Sequence, residues 1–442
     1  MLRNRFKILA LVAIIAIAAG LVGMATPARA VTEVKMVYWT GPESLAMAQV
    51  IDQYNAGKGK EDGVQVQMVL FGREGFWERQ ETIIAAQSSE VDIFYTASYY
   101  VGRQEAALDP ITTVVPDIRD SGVFIPNAVD SLKIGDNLYG IPLDVSLHFL
   151  YYRTDLIEQL LTDTAWQERF KAITREKLGT EMSPKPISEW TWDDFKATAL
   201  FFTKSINPDS PVEYGTALQA KNLVYNVMIW GNVLYSLGGS WFDAEGKPNF
   251  DTPEFRQAAQ LYADLIAMGA SPAASTTFEY GEANAAFMSE QAAFMLQWNA
   301  AYAELNGENS PISGKVGIAM IPGPMPMTYN HALGVALNKY SNNKEAAGKW
   351  LAYLATQEAI DTYAAAGGLP PSAKVLTGDP SRADRIATAE FLNMAYTPST
   401  GPDVFAILDI LAKNLSATWA GQSSADEAAK ASQAQVTELL AR

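Results

Sequence analysis

The sequence predicts an α/β fold with mostly parallel strands, divided into more than one domain. Three runs of strand character, at 34–39, 64–69 and 91–95, are separated by helical patterns at 49–54 and 77–86. Strands and helices that alternate at this spacing indicate βαβ units. The chain has 442 residues, and a typical domain holds about 100–200. We therefore expect at least two domains, each with a sizeable core.

The first thirty residues have the pattern of a secretory signal. Basic residues at 3, 5 and 7 precede an apolar run at 8–24, and the sequence Ala28-Arg29-Ala30 follows. The run is shorter than the roughly 20 residues that a transmembrane helix needs, so we predict a signal peptide at 1–30 that is cleaved after Ala30. A lipid-anchored exported protein needs a cysteine at its cleavage site, and the sequence has none. We expect a mature protein that is free in the periplasm, without a lipid anchor.

Composition narrows the possible partners. The net charge is −16, and it becomes about −20 once the basic residues of the signal are removed. Such a surface repels phosphate backbones and anionic lipids, so we expect neither nucleic acid nor a membrane surface as a partner. The two histidines, His148 and His331, are far apart, and there are no cysteines. We therefore predict no metal site and no cofactor.

Beyond the first three strands, helical periodicity dominates. A strand is predicted at 145–152, directly after a turn-rich segment at 135–142. The later elements predicted from periodicity and turn residues are helices at 193–204, 224–237, 253–267 and 282–288, strands at 316–320 and 334–337, and a helix at 344–355. The alanine-rich tail at 423–440 favours one more helix.

The carboxyl ends of the first strands suggest where a ligand binds. In open α/β sheets, ligands lie beyond the carboxyl ends of the strands. Trp39 ends the first strand, and Tyr95 and Tyr99 lie at and after the end of the third. We expect these three aromatic residues at a cleft. The alternative for each is packing inside its own domain.

Four motifs occur in order along nearly the whole mature chain. They lie at 135–142 with 150–156, at 187–195, at 285–298, and at 333–337 with 343–347 and 367–370. Together they resemble the extracellular solute-binding protein family 1 of ABC importers, in its carbohydrate-binding branch that is similar to maltose-binding proteins. Two departures stand out: Arg153 and Thr154 replace the family's usual asparagine and lysine, and Gln297 replaces a glycine before Trp298.

The resemblance implies a two-lobed periplasmic-binding-protein fold, similar to type II, with the ligand cleft at a hinge of crossing strands. It places lobe 1 at 31–144 and 325–368 and lobe 2 at 145–324 and 369–442. The implied function is that of a periplasmic component that captures a mono- or oligosaccharide and delivers it to the membrane permease of an ABC transporter. We accordingly expect a monomer without catalytic activity.

The resemblance also implies further site residues. Trp298 stands at the family's cleft tryptophan and is followed by Asn299, while Asn330 and His331 precede a strand where the family often contributes a polar contact. Three candidates come from position along the chain: Asp144 follows the run that crosses between lobes, and Trp230 and Trp241 flank a Gly-Gly turn. Packing, capping or a plain loop role is the alternative for each of these residues.

Two rival functions remain open from the sequence. A secreted glycoside hydrolase or lyase shares the export signal and the aromatic content, but no motif proposes its pair of carboxyl groups. The second rival keeps the fold and the binding role but changes the ligand to a polyamine, a glycerophosphodiester, a peptide or another small solute. The chain contains 10 tryptophans and 19 tyrosines, and flat rings suit pyranose faces better than compact anions, which favours a neutral sugar.

Overall fold

A computed structural model describes residues 31–72, 75–399 and 401–442. The predicted signal peptide at 1–30 lies outside the described residues. The strands are β1 Thr32–Trp39, β2 Val64–Phe71, β3 Ile93–Ala97, β4 Leu108–Asp109, β5 Lys133–Ile134, β6 Asn137–Leu138, β7 Gly140–Ser146, β8 His148–Arg153, β9 Tyr214–Thr216, β10 Ala292–Trp298, β11 Val316–Ala319, β12 Thr328–Tyr329, β13 His331–Asn338 and β14 Ala395–Tyr396.

Helices surround these strands. They are α1 Pro42–Ala56, α2 Lys58–Asp62, α3 Phe76–Ala85, α4 Val101–Gln104, α5 Pro126–Asp130, α6 Thr154–Thr162, α7 Thr164–Leu178, α8 Trp192–Phe201, α9 Val224–Ser236, α10 Pro253–Ala267, α11 Tyr280–Met288, α12 Tyr302–Leu305, α13 Lys344–Leu354, α14 Gln357–Ala365, α15 Ala373–Leu376, α16 Ala383–Leu392, α17 Val404–Trp419 and α18 Ala425–Leu440. No helix within the described ranges has the length and apolar character to cross a bilayer.

The first lobe is built on a sheet with strand order β2-β1-β3-β13-β4, in which β7 also pairs with β13. β1 runs parallel to β2 and β3, as the βαβ pattern predicts. β13 is antiparallel to β3, β4 and β7. Helix α1 packs against α14, and α13 packs against β1 and β13.

The second lobe contains a sheet with strand order β11-β8-β10-β9. β8 is antiparallel to both of its neighbours, and only β9 and β10 are parallel. The α/β class is confirmed. The expectation of mostly parallel strands holds for β1–β3 and for the pair β9 and β10, but not for the sheets as wholes. The reason is that β8 and β13, which adjoin the points where the chain passes from one sheet to the other, are antiparallel to every strand that they pair with.

The chain passes between the two sheets along adjacent strands. β7 of the first sheet is followed after a single residue, Leu147, by β8 of the second, and the chain returns from β11 to β13. The pairing of β7 with β13 shifts register between Leu333 and Gly334. A Cβ atom at Gly334 would lie 2.2 Å from the carbonyl oxygen of Ile141. Glycine is therefore the residue that lets the two crossing strands approach so closely.

Helix starts in the second lobe follow the capping signals of the sequence. Asp194 Oδ2 accepts a hydrogen bond from the backbone N–H of Thr191 at 2.9 Å, and Thr191 Oγ1 accepts from the backbone N–H of Asp194 at 3.3 Å. This reciprocal capping box fixes the first turn of α8. The predicted tail helix is confirmed as α18, which packs with α17 against α10.

Candidate functional site

A cavity of about 430 Å³ lies between the two lobes, beyond the carboxyl end of β1. Both lobes and both crossing strands contribute to its wall. Its lining residues are Trp39, Glu43, Phe76, Trp77, Tyr99, Ser146, Gln219, Tyr225, Glu279, Tyr280, Trp298, Ala300, His331 and Leu333. Half of them are phenylalanine, tyrosine or tryptophan. A concave site with many rings and a few polar groups is typical of small-molecule binding.

The first lobe supplies a cluster of aromatic rings. Trp39 is the last residue of β1, and α3 begins at Phe76 and Trp77 directly after the β2–α3 connection. The ring of Trp39 lies 5.6 Å from that of Phe76 and 6.4 Å from that of Trp77. Tyr99, which follows β3, lies 5.9 Å from Trp77. These tilted and edge-to-face contacts hold one another in place and leave apolar ring surface at the cavity.

The crossing region supplies Trp298 and His331. The ring of His331 lies 5.2 Å from that of Trp298 and 4.7 Å from that of Tyr99, while His148 packs edge-to-face on Trp298 at 4.1 Å. Neither ring nitrogen of His331 has a hydrogen-bond partner in the part of the chain that the structure describes. Burial lowers the pKa of His331 to about 3. The ring is therefore neutral near pH 7, with one donor and one acceptor nitrogen.

The polar part of the wall is rich in hydrogen-bond acceptors. Glu43 of α1 and Glu279 before α11 bring carboxylates from opposite lobes, and Ser146 and Gln219 add neutral groups. The carboxylate of Glu279 also lies 3.5 Å from Lys221 Nζ. Among the described lining residues there is no lysine or arginine. The wall is therefore suited to neutral hydroxyl groups or to cations rather than to anions.

The two lobes touch across this cavity. Tyr99 interacts with Tyr225, which lies in α9 of the second lobe. Phe405 of α17 also reaches the first lobe, with its ring 6.3 Å from that of Tyr99 and 6.5 Å from that of Tyr100. The two lobes therefore contact each other beside the cavity.

Four of the residues expected from the sequence line the cavity: Trp39, Tyr99, Trp298 and His331. Tyr95 does not, since it is fully buried beneath Trp39 with its ring 4.8 Å away. Successive side chains of a strand point to opposite faces of the sheet. Tyr95 lies on the face of β3 that is turned to the core, so its side chain cannot also face the cleft.

Two tryptophans proposed from the Gly-Gly turn are not in the cavity wall, and we remove them from the candidate site. Trp230 has no exposed surface, and its Nε1 donates to the carbonyl oxygen of Ala258 at 3.0 Å. Its ring packs against Phe255 at 5.2 Å. Trp241 is buried beside Phe250, with ring centres 6.5 Å apart. Both residues stabilise the helical layer of the second lobe.

Three polar candidates are held by the hinge itself. Asp144 accepts hydrogen bonds from the hydroxyl of Tyr363 and, at 2.8 Å, from the backbone N–H of Leu369. Burial raises the pKa of Asp144 to about 6. These bonds use both carboxylate oxygens inside the protein, so we remove Asp144 from the set of ligand contacts and assign it to the hinge.

Asn299 and Asn330 make similar internal bonds. Asn299 Oδ1 accepts from the backbone N–H of Leu147 at 3.2 Å, in the segment that links the two sheets. Asn330 Nδ2 donates to the carbonyl oxygen of Asn127 at 3.1 Å. Both side chains are buried and lie outside the cavity wall. They stabilise the crossing, and we remove them too from the candidate contacts.

Several lining residues were not predicted from the sequence. They are Glu43, Phe76, Trp77, Ser146, Gln219, Tyr225, Glu279, Tyr280, Ala300 and Leu333. The signal for Phe76 and Trp77 was present, because they follow the carboxyl end of β2, where an open sheet binds its ligand. The residues from the second lobe carried no such signal, because they meet the first lobe only in three dimensions. Within the described ranges, no group of three or more potential ligands is clustered for a metal ion.

Residues 40–361 match the family of bacterial extracellular solute-binding proteins. A probable ABC transporter-binding protein of Deinococcus radiodurans is 29% identical over 297 residues, which are 66% of this chain and 64% of the relative. The mannitol-binding protein of Pseudomonas aeruginosa is 23% identical over 388 residues, 80% of this chain and 82% of the relative. The chain therefore spans slightly less than two thirds of the Deinococcus relative.

Solved structures share the two-lobed fold. A maltose-bound MalE3 of T. maritima has a TM-score of 0.71 at 23% identity and covers 92% of this chain and 99% of its own. The sugar-binding protein MalE of Xanthomonas citri has a TM-score of 0.73 at 20% identity and covers 93% and 98%. With a family match over well more than half of its length and a cavity between two lobes, the chain belongs to the bacterial extracellular solute-binding protein family.

Proposed function

We propose that this protein is the solute-binding component of an ABC importer, and that it captures a neutral sugar or sugar alcohol between its lobes for delivery to the permease. The observation that carries the proposal is the composition of the cavity wall. Seven phenylalanine, tyrosine or tryptophan rings, two carboxylates, one neutral histidine and no lysine or arginine line it among the described residues. The relatives that bind mannitol and maltose are consistent with a polyhydroxyl ligand.

Each part of the wall has a role toward such a ligand. The rings of Trp39, Trp77 and Trp298 offer apolar faces to the C–H face of a pyranose or to an extended polyol chain. The carboxylates of Glu43 and Glu279 accept hydrogen bonds from hydroxyl groups, and bonds to an ionised acceptor are stronger than neutral ones. A phosphodiester is disfavoured because the two carboxylates repel it.

Ligand binding favours closure because the wall is divided between the lobes. Trp39 and Trp77 belong to the first lobe, and Tyr280 belongs to the second, so a ligand contacts both only when the cleft is shut. A ligand that gains contacts in one state shifts the population toward that state. We infer that the permease recognises this closed, liganded form.

We also propose the cellular context that the sequence predicts. The signal at 1–30 directs the chain to the periplasm, where it is cleaved and remains without a lipid anchor. The protein acts as a monomer and catalyses no reaction, and its lobes are bounded at 31–144 with 325–368 and at 145–324 with 369–442. A stable dimer in light scattering of the mature protein would contradict the monomer.

Thermal melting of the mature protein tests the proposal. The protein is first unfolded and refolded to remove ligand carried through purification, and it is then melted with mono- and oligosaccharides, sugar alcohols, polyamines and glycerophosphodiesters. A ligand at 100 times its dissociation constant adds about 2.7 kcal/mol of stability. A shift with a sugar or sugar alcohol supports the proposal. Shifts only with polyamines would mean that the two carboxylates bind a cation. If no compound shifts the melting temperature, an assay of glycoside hydrolysis follows, and turnover there would make the protein an enzyme.

A further inference from the structure

Gln297 occupies the position where the sequence resemblance leads us to expect glycine, and its side chain is completely buried directly behind the cavity. We propose that Gln297 is a positioning residue, which orients the side-chain amide of Gln219 so that its Oε1 faces the ligand. The site then selects a ligand that carries a hydroxyl group at that point. The inference rests on the proposed function and names the group on the sugar that the site reads.

The orientation of the Gln297 amide is determined by two backbone groups. Its Oε1 accepts from the backbone N–H of Trp298 at 2.9 Å, and its Nε2 donates to the carbonyl oxygen of Tyr280 at 3.1 Å. A backbone N–H can only donate and a carbonyl oxygen can only accept. Exchanging the oxygen and nitrogen of this amide would therefore break both bonds.

Asn284 reinforces the same orientation. Gln297 Nε2 donates to Asn284 Oδ1 at 2.8 Å, and Asn284 Nδ2 donates to Glu304 Oε2 at 2.7 Å. The carboxylate of Glu304 needs a donor, so it holds the nitrogen of Asn284 toward itself and leaves the oxygen for Gln297. Both hydrogens on Nε2 of Gln297 are thus used, and Oε1 is the atom that faces Gln219.

The side chain of Gln219 then has one possible orientation. Its Nε2 donates to Gln297 Oε1 at 3.0 Å and to the carbonyl oxygen of Leu296 at 3.4 Å. Both amide hydrogens point into the protein, and the acceptor Oε1 remains for the cavity that Gln219 lines. If the side-chain amide of Gln219 were rotated by half a turn, its oxygen would face Gln297 Oε1 and the carbonyl oxygen of Leu296. Hydrogen bonds left unmade inside the protein are costly, so this orientation is excluded.

This arrangement has a consequence for specificity. A buried acceptor that is held in one orientation needs a donor from the ligand, and a ligand that lacks the donor leaves the acceptor unsatisfied. A sugar hydroxyl meets that need, whereas a hydrogen atom or a methoxy group at the same carbon does not. Glycine at 297 could not impose this requirement, because it has no side chain to hold Gln219.

The test measures discrimination between hydroxylated and deoxygenated ligands. Maltose, D-glucose and D-mannitol, each with its singly deoxygenated analogues, are titrated calorimetrically into the mature wild type and into Gln219→Leu, Gln297→Leu, Gln297→Glu and the double leucine variant. For one analogue we expect the wild type to bind about tenfold more weakly than the parent sugar, which is about the cost of one hydrogen bond.

Gln219→Leu should remove this discrimination. Gln297→Leu should remove most of it as well, although Gln219 is still present, and the double variant should lose no more than Gln219→Leu alone. Gln297→Glu is titrated at pH 5, where a carboxyl group buried at this position is protonated; it keeps the oxygen that Trp298 and Gln219 require and donates its one hydrogen to Tyr280 or Asn284, so it should keep the discrimination even if its melting temperature falls. A merely structural role for Gln297 would move the melting temperatures and leave the ratio of affinities unchanged.

Two results would overturn the inference. One is a folded Gln297→Leu variant with wild-type discrimination. The other, which decides the matter if that variant does not fold, is unchanged discrimination in Gln219→Leu or lost discrimination in Gln297→Glu. Failure of the proposed function looks different, because then none of the three parent sugars would bind to the wild type and the inference would fall with it.

Discussion

The hydroxyl group of Tyr363 in α14 donates a hydrogen bond to the carboxylate of Asp144 in β7, and the two residues are 219 positions apart in the chain. The same carboxylate accepts the backbone N–H of Leu369, and the hydroxyl groups of Tyr363 and Tyr38 lie 3.3 Å apart. Asp144 therefore connects a crossing strand to the helix and the loop that pack beside it. A carboxyl group buried at the hinge makes stability depend on pH.

We expect the wild type to lose stability between pH 4 and 6 relative to Asp144→Asn. Burial raises the pKa of Asp144 from 3.8 to about 6, so within this window the folded protein keeps a proton that the unfolded chain releases. The free energy of unfolding therefore falls as pH rises, by about 3 kcal/mol in total at about 1.4 kcal/mol per pH unit. Urea unfolding of both proteins from pH 4 to 7 measures the difference.

Tyr363→Phe is the matched control for this effect. The hydroxyl of Tyr363 lowers the pKa of Asp144 against the larger effect of burial, so its removal should extend the pH-dependent window to higher pH. Parallel stability curves for wild type and Asp144→Asn would show that the carboxyl group has its ordinary pKa.

Trp298→Ala should weaken binding of the preferred sugar more than tenfold. The ring of Trp298 lies in the cavity wall and is held by His148 and His331, and ring contacts supply much of the binding energy in such sites. Trp241→Phe is the control, since Trp241 lies outside the wall. Calorimetric titration would contradict the assignment if both variants bound the sugar as the wild type does.

Titration of His331 should cause no change in sugar affinity between pH 5.5 and 8. Burial lowers its pKa to about 3, so the ring remains neutral throughout this range. Its effect on folding has the opposite sign to that of Asp144, because stability falls as pH drops below the unfolded pKa of about 6.5. Titrations at four pH values test this, and a drop in affinity near pH 6.5 that disappears in His331→Gln would show a normally titrating ring.

Gly334→Ala should destabilise the protein by about 3 kcal/mol or more, as severe overpacking does. The new Cβ atom would lie 2.2 Å from the carbonyl oxygen of Ile141 in the paired crossing strand. Gly281→Ala is the control, because nothing lies within 4 Å of a Cβ atom there, and its effect should stay within about 0.5 kcal/mol. Urea midpoints of the two variants compare them, and equal midpoints would mean that the crossing strands separate at no cost.

The sequence allowed the class of fold to be predicted, because period and turn residues are local signals. The strands that end at Trp39 and begin near Ile93 were recognised this way. The antiparallel return of β13 was not, since pairing with β3, β4 and β7 depends on contacts between distant segments.

Prediction of the site was limited in the same way, because local patterns reveal where strands end but not which distant segments meet. Trp39, Tyr99 and Trp298 could be placed from strand ends or from the resemblance. Trp230 was misplaced because α9 is buried on nearly every face, so a tryptophan in the middle of this helix gives no sign of which side it occupies. Gln219 gave no signal at all, because its role depends on a buried amide 78 positions away.

The central position of β13 has a consequence for the order in which the protein can fold. All four strands of the second sheet lie between residues 148 and 319, whereas the first sheet needs β13, which ends at Asn338, to join β3 with β7. Pairings between distant segments form slowly. A nascent chain that has reached residue 330 can therefore complete its second sheet while the first, whose strands were made earliest, still lacks its middle.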